Sequence, residues 1–255
     1  MSKFVPKCAF ITGATAGIGL ATAHVFAAEK TPLILVGRRK ERLQQIQSEL
    51  QKKYEAEVET FELDISDRVQ CESFVQQNLS LLKKIDLLVN NAGLAKGLEN
   101  FQEAKLDDWD EMIDTNMKGL LYLTRLLIPS MIENQRGHIV NVGSVAGRWS
   151  YPKGAVYCAT KFAVRAISES LRMDLFGTPL RVTNIEPGMV ETEFSAVRLG
   201  DAERAKAVYK GMNPLTPVDI AESILWSVQR PAHVNIQELV IFPTDQVSIQ
   251  QVYRR

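Results

Sequence analysis

The chain has 255 residues and a mass of 28.6 kDa, enough for one large α/β domain with a sizeable core. Apolar residues make up 45% and charged residues 24%, which excludes a disordered chain. Thirty Lys+Arg against thirty Asp+Glu leave a net charge of zero, so no overall positive field draws the protein to nucleic acid or an anionic membrane, and any anionic ligand must be caught locally.

Taken in chain order, short apolar runs at Cys8–Thr12, Leu33–Val36, Val58–Leu63, Asp86–Asn90, His138–Gly143, Arg181–Glu186 and Glu238–Phe242 read as strands. Between them, amphipathic stretches at Ile18–Glu29, Lys40–Tyr54, Asp67–Leu82, Asp107–Glu133, Ala155–Phe176 and Pro217–Val228 read as helices. This alternation calls for a single Rossmann-type, doubly wound α/β domain over residues 1–255, with a parallel sheet of about seven strands and helices on both faces. Gly, Asn and Pro punctuation around DAERAKAVYK sets off residues 190–214 as an insertion suited to a substrate lid. Every apolar run is far shorter than the roughly 20 residues of a bilayer span, and no secretion signal opens the chain. Cys8, Cys71 and Cys158 form no CxxC pair, which fits a reducing, cytoplasmic setting. His24, His138 and His233 belong to no HExxH cluster, so no metal is expected.

The first strand runs into Thr12-Gly13-Ala14-Thr15-Ala16-Gly17-Ile18-Gly19 and then a helix. Glycines at this junction allow a tight turn and close approach of a pyrophosphate to the free N–H groups of the helix. The spacing is GxxxGxG rather than GxGxxG, and a glycine turn also serves purely structural ends. The second strand ends in Gly37-Arg38-Arg39, about 20 residues past the loop, where an NAD-preferring fold places an acid for the ribose 2′-hydroxyl. Two arginines and Lys40 at the electropositive start of a helix call for an anion: an adenosine 2′-phosphate held by Arg38 and Arg39 supplies one and points to NADP, with a solvated basic patch balanced by Glu41 as the plain alternative. Asp64 ends the third strand and suits the adenine amino group, because Ser66 and Asp67 are better placed to cap the next helix. Small and amide residues in Asn90-Asn91-Ala92-Gly93 suit a backbone lying against a ribose.

Tyr157 and Lys161 stand four apart in a helical pattern, so both fall on one face, where an ammonium lowers the phenol toward the range of a general acid–base. A chance pair on an amphipathic helix is the plain alternative. Ser144 ends the fifth strand, at the sheet edge where parallel folds place ligands, and its hydroxyl can hydrogen-bond a carbonyl or carbinol oxygen. No GxSxG elbow makes it a nucleophile. Asn116, inside the Asp107–Glu133 stretch, is a polar residue among helix formers.

Together TGATAGIG at 12–19, NNAG at 90–93, Asn116, Ser144 and YCATK at 157–161 resemble the short-chain dehydrogenase/reductase family in order, in spacing and over essentially the whole chain. The resemblance implies an oxidoreductase in which Tyr157 is the acid–base, Lys161 binds the nicotinamide ribose and lowers the tyrosine pKa, Ser144 orients the substrate oxygen and Asn116 holds a water of the proton relay. It also implies cofactor contacts at Gly13, Thr15, Gly17, Ile18 and Gly19, at Arg38 and Arg39, at Asp64 and Ile65, at Asn91, Ala92 and Gly93, and at Pro187, Gly188, Val190 and Thr192. GRRKERL at 37–43, DTNMKGL at 114–120, NIEPGMVETEF at 184–194 and PAHVNI at 231–236 are similar to the NADP-dependent 3-hydroxy acid dehydrogenases that act on serine and allo-threonine. That branch implies a homotetramer formed through the helices carrying Asn116 and Tyr157.

The expected substrate is a small hydroxy acid or the corresponding semialdehyde or ketone, with a broader carbonyl or 3-oxoacyl reductase and a non-catalytic NADP(H) sensor as alternatives. A substrate carboxylate needs a cation near Ser144, because burying it unpaired is costly. Arg148, in GSVAGRWSYPKG, is the nearest in sequence; Lys153 and Arg198 are further candidates.

Overall fold

The computed structural model describes residues 3–255. Seven strands, β1 (Ala9–Thr12), β2 (Leu33–Gly37), β3 (Val58–Glu62), β4 (Leu87–Asn90), β5 (Gly137–Val142), β6 (Leu180–Pro187) and β7 (Glu238–Ile241), form one sheet. All pairs are parallel and the order is β3-β2-β1-β4-β5-β6-β7. The sequence reading placed each of these strands to within a residue or two.

Parallel strands covered on both faces must be apolar on both, and the runs show it. Leu33 and Leu35 of β2 join one core cluster and Ile34 and Val36 the other. The first cluster packs the sheet against α1 (Gly17–Ala28), α2 (Lys40–Tyr54) and α10 (Pro217–Val228) through Ala23, Phe26, Ile46, Ile220 and Ile224. The second packs it against α3 (Arg68–Gln77), α6 (Leu120–Glu133) and the end of α7 (Ala155–Asp174) through Cys71, Phe74, Leu123, Leu127 and Leu175. A fully buried side chain such as Phe26 contributes roughly 1.5–3 kcal/mol.

Helix starts follow local chemistry. Asp67 caps α3 by accepting from the Gln70 N–H at 3.1 Å, as expected, and Thr216 with Asp219 makes a capping box for α10. Two helical stretches are less regular than their periodicity predicts. The run Asp67–Leu82 divides at Asn78 into α3 and the single turn α4 (Leu79–Leu82), where the Asn78 side chain donates to the Phe74 carbonyl at 2.8 Å. The stretch Asp107–Glu133 comprises α5 (Leu106–Ile113), a π-helical turn over Asp114–Gly119, and α6. Between β6 and α10, the expected insertion carries two short helices, α8 (Phe194–Leu199) and α9 (Ala202–Val208). No helix among the described residues is long and apolar enough to cross a membrane.

Candidate active site

A cavity of about 620 Å³ lies along the C-terminal edge of the sheet. Six strands each deliver the residue at or just past their C-terminal end to its wall: Gly13, Gly37, Leu63, Asn91, Gly143 and Gly188. The chain reverses direction of winding at β1, between β2 and β4, and an open parallel sheet binds ligands at such a switch point.

At one end stands the glycine loop. Gly13 has φ +63°, and a Cβ there would lie 2.8 Å from the Ala92 Cα, so the loop and the β4 end fit together only with glycine. Ala16, the residue before α1, offers no side-chain cap, and the first turn holds no acid, which leaves the helix's leading N–H groups available to an anion. Gly13, Thr15, Gly17 and Ile18 line the cavity. Gly19, also expected there, does not: it packs inward, where a Cβ would come within 2.4 Å of both the Gly13 carbonyl and the Asn91 amide. Its role is helix-to-strand packing.

Arg38 and Arg39 line the same end. Arg39 donates to Thr15 Oγ1 at 2.9 and 3.1 Å and to Glu193 at 3.1 Å, while Arg38 lies 3.7 Å from Glu111. A Cβ on Gly37 would meet the Thr15 methyl at 3.1 Å, so Thr15 fills the space beside the position where an acid would read a ribose hydroxyl. Asp64 and Ile65 line the cavity, with Asp64 accepting from the Ser66 N–H and hydroxyl through one oxygen. Asn91, Ala92 and Gly93 follow, and Pro187, Gly188, Val190 and Thr192 close the opposite wall.

Ser144, Tyr157 and Lys161 meet at the other end. Ser144 is held by its own turn, accepting from the Ala146 N–H at 3.1 Å. Lys161 is buried on α7 and donates to the Val142 carbonyl at 2.9 Å; burial lowers its ammonium to about 8. The expected lowering of the Tyr157 phenol by this ammonium is not what the structure gives. Burial pushes the phenol above the ordinary tyrosine range, and the Ser144 hydroxyl and the Arg198 guanidinium pull it back only in part. Lys161 Nζ stands 5.9 Å from the ring centre, with a backbone carbonyl as its partner, so desolvation outweighs its charge.

Asn116 lies in the π turn, behind the wall rather than on it. Its amide is taken by the Leu94 N–H and carbonyl, both at 2.8 Å, and by Thr160 at 3.1 Å. It faces the same point beside Gly93 as Lys161 does, where a glycine Cβ would lie 3.2 Å from one and 3.6 Å from the other.

Arg148 does not serve the cavity. It is paired with Glu186 and Glu238 on β6 and β7, and Arg165 completes the cluster at 3.0 Å from Glu238. The Glu186 side chain is only 1% exposed, so a buried carboxylate captures the arginine and turns it from the site. Lys153 is exposed and lies off the cavity wall. Arg198, on α8, lines the cavity with its guanidinium 5.7 Å from the Tyr157 ring centre. Tyr151 and Phe194 also border Tyr157, and residues of loops and short helices of this kind carry no periodic signal in sequence.

A family model described as short chain dehydrogenase matches residues 7–202. The chain belongs to the short-chain dehydrogenase family. The enzyme is 48% identical over 238 residues, 92% of its length and 94% of the relative's, to the NADP-dependent 3-hydroxy acid dehydrogenase of Salmonella typhi. It is 44% identical, over 92% of its length and 94% of the relative's, to sulfoacetaldehyde reductase 2 of Chromohalobacter salexigens. Among solved structures, the closed form of serine dehydrogenase complexed with NADP+ matches with a TM-score of 0.91 and 44% identity, over 97% of this chain and 99% of that one.

Proposed function

We propose that the enzyme uses NADP to oxidise the 3-hydroxyl of small 3-hydroxy acids of the serine, allo-threonine and 3-hydroxypropionate type, or reduces the matching semialdehyde or ketone. One observation carries this reading: a single cavity holds Arg38 and Arg39 at one end and the Ser144, Tyr157 and Lys161 groups at the other. The named relatives, a 3-hydroxy acid dehydrogenase and a serine dehydrogenase complexed with NADP+, support the same chemistry.

The wall fits a dinucleotide. Uncapped N–H groups of α1 suit the pyrophosphate, Arg38 and Arg39 the 2′-phosphate, Asp64 the adenine, and Lys161 with Asn91 the second ribose. Bound NADP+ supplies the hydride acceptor, and NADPH the donor in the reverse direction. Ser144 donates to the substrate oxygen and fixes its position; Tyr157 takes the hydroxyl proton during oxidation and returns it during reduction. The phenol, held above the ordinary tyrosine range, is protonated at neutral pH, so the resting site carries the proton that reduction requires. Asn116 positions the wall beside Lys161, and residues 190–214 act as the lid that excludes water. The exposed apolar side chains Leu121 on α6 and Phe162 on α7 support a homotetramer built on those helices, which light scattering tests.

Replacing Arg38 and Arg39 by Ala tests the cofactor assignment. Charge-assisted hydrogen bonds contribute about 1.5–3 kcal/mol each, and for side chains that are half exposed the lower end applies. The NADP Kd then rises by about 10²-fold and the NAD Kd by only a few-fold, read by fluorescence titration of the reduced cofactors. Equal losses for both cofactors overturn the 2′-phosphate role.

A further inference from the structure

We infer that Arg198 and Tyr151 form an anion subsite that holds the carboxylate or sulfonate head group of the substrate over Tyr157, an inference that rests on the hydroxy-acid reading above. Four cations line the cavity. Arg39 is paired with Glu193, Arg38 faces Glu111, and Lys161 is committed to the Val142 carbonyl. Arg198 is left as the cavity-lining guanidinium with no carboxylate partner among the described residues. Its present partners are neutral: Nη1 donates to the Tyr151 hydroxyl at 2.8 Å and Nε to the Gly97 carbonyl at 3.2 Å. Asp64 and Glu193, the two acids on the wall, belong to the cofactor end, so nothing anionic offsets Arg198 where the reaction takes place.

The two side chains are held as a pair of donors. Tyr151 stands against Gly154, where a Cβ would come within 2.3 Å of its ring, so glycine makes room for the tyrosine and fixes it. Because the Tyr151 oxygen accepts from Arg198, its own O–H remains to donate beside the free Nη2 group, an arrangement that fits two oxygens of one anion. The guanidinium carbon is 5.7 Å from the Tyr157 ring centre and 5.3 Å from the Tyr151 ring. Leaving a carboxylate unpaired in this wall is costly, so the subsite selects anionic over neutral substrates.

Arg198 has one competing role. It also ties α8 to the loop after β4, since its carbonyl accepts from the Gly97 N–H at 3.1 Å while its Nε donates to the Gly97 carbonyl. A latch and an anion receptor separate by substrate charge. Arg198→Met is compared with wild type on 3-hydroxypropionate and on its neutral isostere 3-hydroxypropionamide, with NADPH binding followed by fluorescence as the measure of an intact fold. The expected result is a KM for the acid raised about tenfold or more with a far smaller loss on the amide, and partial recovery in Arg198→Lys. Propionate and ethanesulfonate serve as competitive inhibitors. Both inhibition constants rise in Arg198→Met and in Tyr151→Phe, and the tighter of the two in wild type identifies the head group. Parallel losses on acid and amide with unchanged inhibition constants overturn the subsite and leave Arg198 as a latch. A wild-type preference for the amide over the acid overturns the hydroxy-acid reading itself.

Discussion

Tyr157→Phe lowers turnover by about 10²–10⁴-fold while NADP binding survives. The substitution keeps the ring that packs 5.6 Å from Phe194 and removes only the transferable proton. Positioned acid–base groups contribute about 10²–10⁴-fold, and kcat falls by that amount in both directions. Lys161→Ala is expected to weaken both turnover and binding, because the proposed mechanism places its buried ammonium on the cofactor ribose beside Tyr157. The pH dependence has a definite sign. A phenol held above the ordinary tyrosine range gives up its proton only as pH climbs, so wild-type oxidation increases through the alkaline range, while reduction, which uses the protonated phenol, does not fall for want of that proton. The Phe variant shows no such rise. A Phe variant retaining more than a tenth of the wild-type kcat, in steady-state assays at saturating cofactor, removes Tyr157 from the proton transfer.

Arg148→Met, by contrast, costs stability and not catalysis. It leaves Glu186, 1% exposed, with Arg165 at 3.8 Å and the Asn184 amide at 2.7 Å as partners. Breaking a buried ion pair costs about 3–5 kcal/mol; since Arg165 remains, about 3 kcal/mol is expected, or roughly 6–12 °C in Tm. KM for the hydroxy acid stays within about twofold, because the side chain does not reach the cavity. Burial already holds the Glu186 carboxyl above the usual range, and losing Arg148 raises it further. A carboxyl raised in the folded state disfavours folding once it must ionise, so the deficit is largest at neutral pH and shrinks as pH falls through the raised value. Thermal melts of both proteins between acid and neutral pH measure this. A constant deficit points to lost packing instead of an uncompensated charge.

The elements that packing alone dictates were legible in sequence. Runs such as Leu33-Ile34-Leu35-Val36 can only be covered strands, and the glycines at 13 and 17 announce a turn that a side chain cannot make. Tyr157 and Lys161 were legible because a helix puts residues four apart on one face. What escaped was settled by tertiary competition. Arg148 is near Ser144 in sequence, but Glu186 and Glu238, arriving from distant strands, claim it. The phenol's upward shift depends on how completely the cavity wall dehydrates it, which no spacing encodes. Arg198, on the short helix α8, and Tyr151, in the loop before α7, converge from segments too short to show a period. The π turn at Asp114–Gly119 was hidden because the apolar pattern on either side of it reads as one continuous helix; the turn places Asn116 against Leu94 and Thr160.

The contact between Gly37 and Thr15 bears on any attempt to re-engineer the coenzyme. An aspartate at 37, introduced to favour the non-phosphorylated dinucleotide, starts with its Cβ 3.1 Å from the threonine methyl. Threonine 15 is in turn the acceptor that steadies Arg39. The acidic substitution, a smaller residue at 15 and removal of the arginine fall on residues in contact, so their effects on coenzyme preference are coupled and not additive. A combinatorial library over positions 15, 37, 38 and 39 reaches the combinations that single substitutions miss.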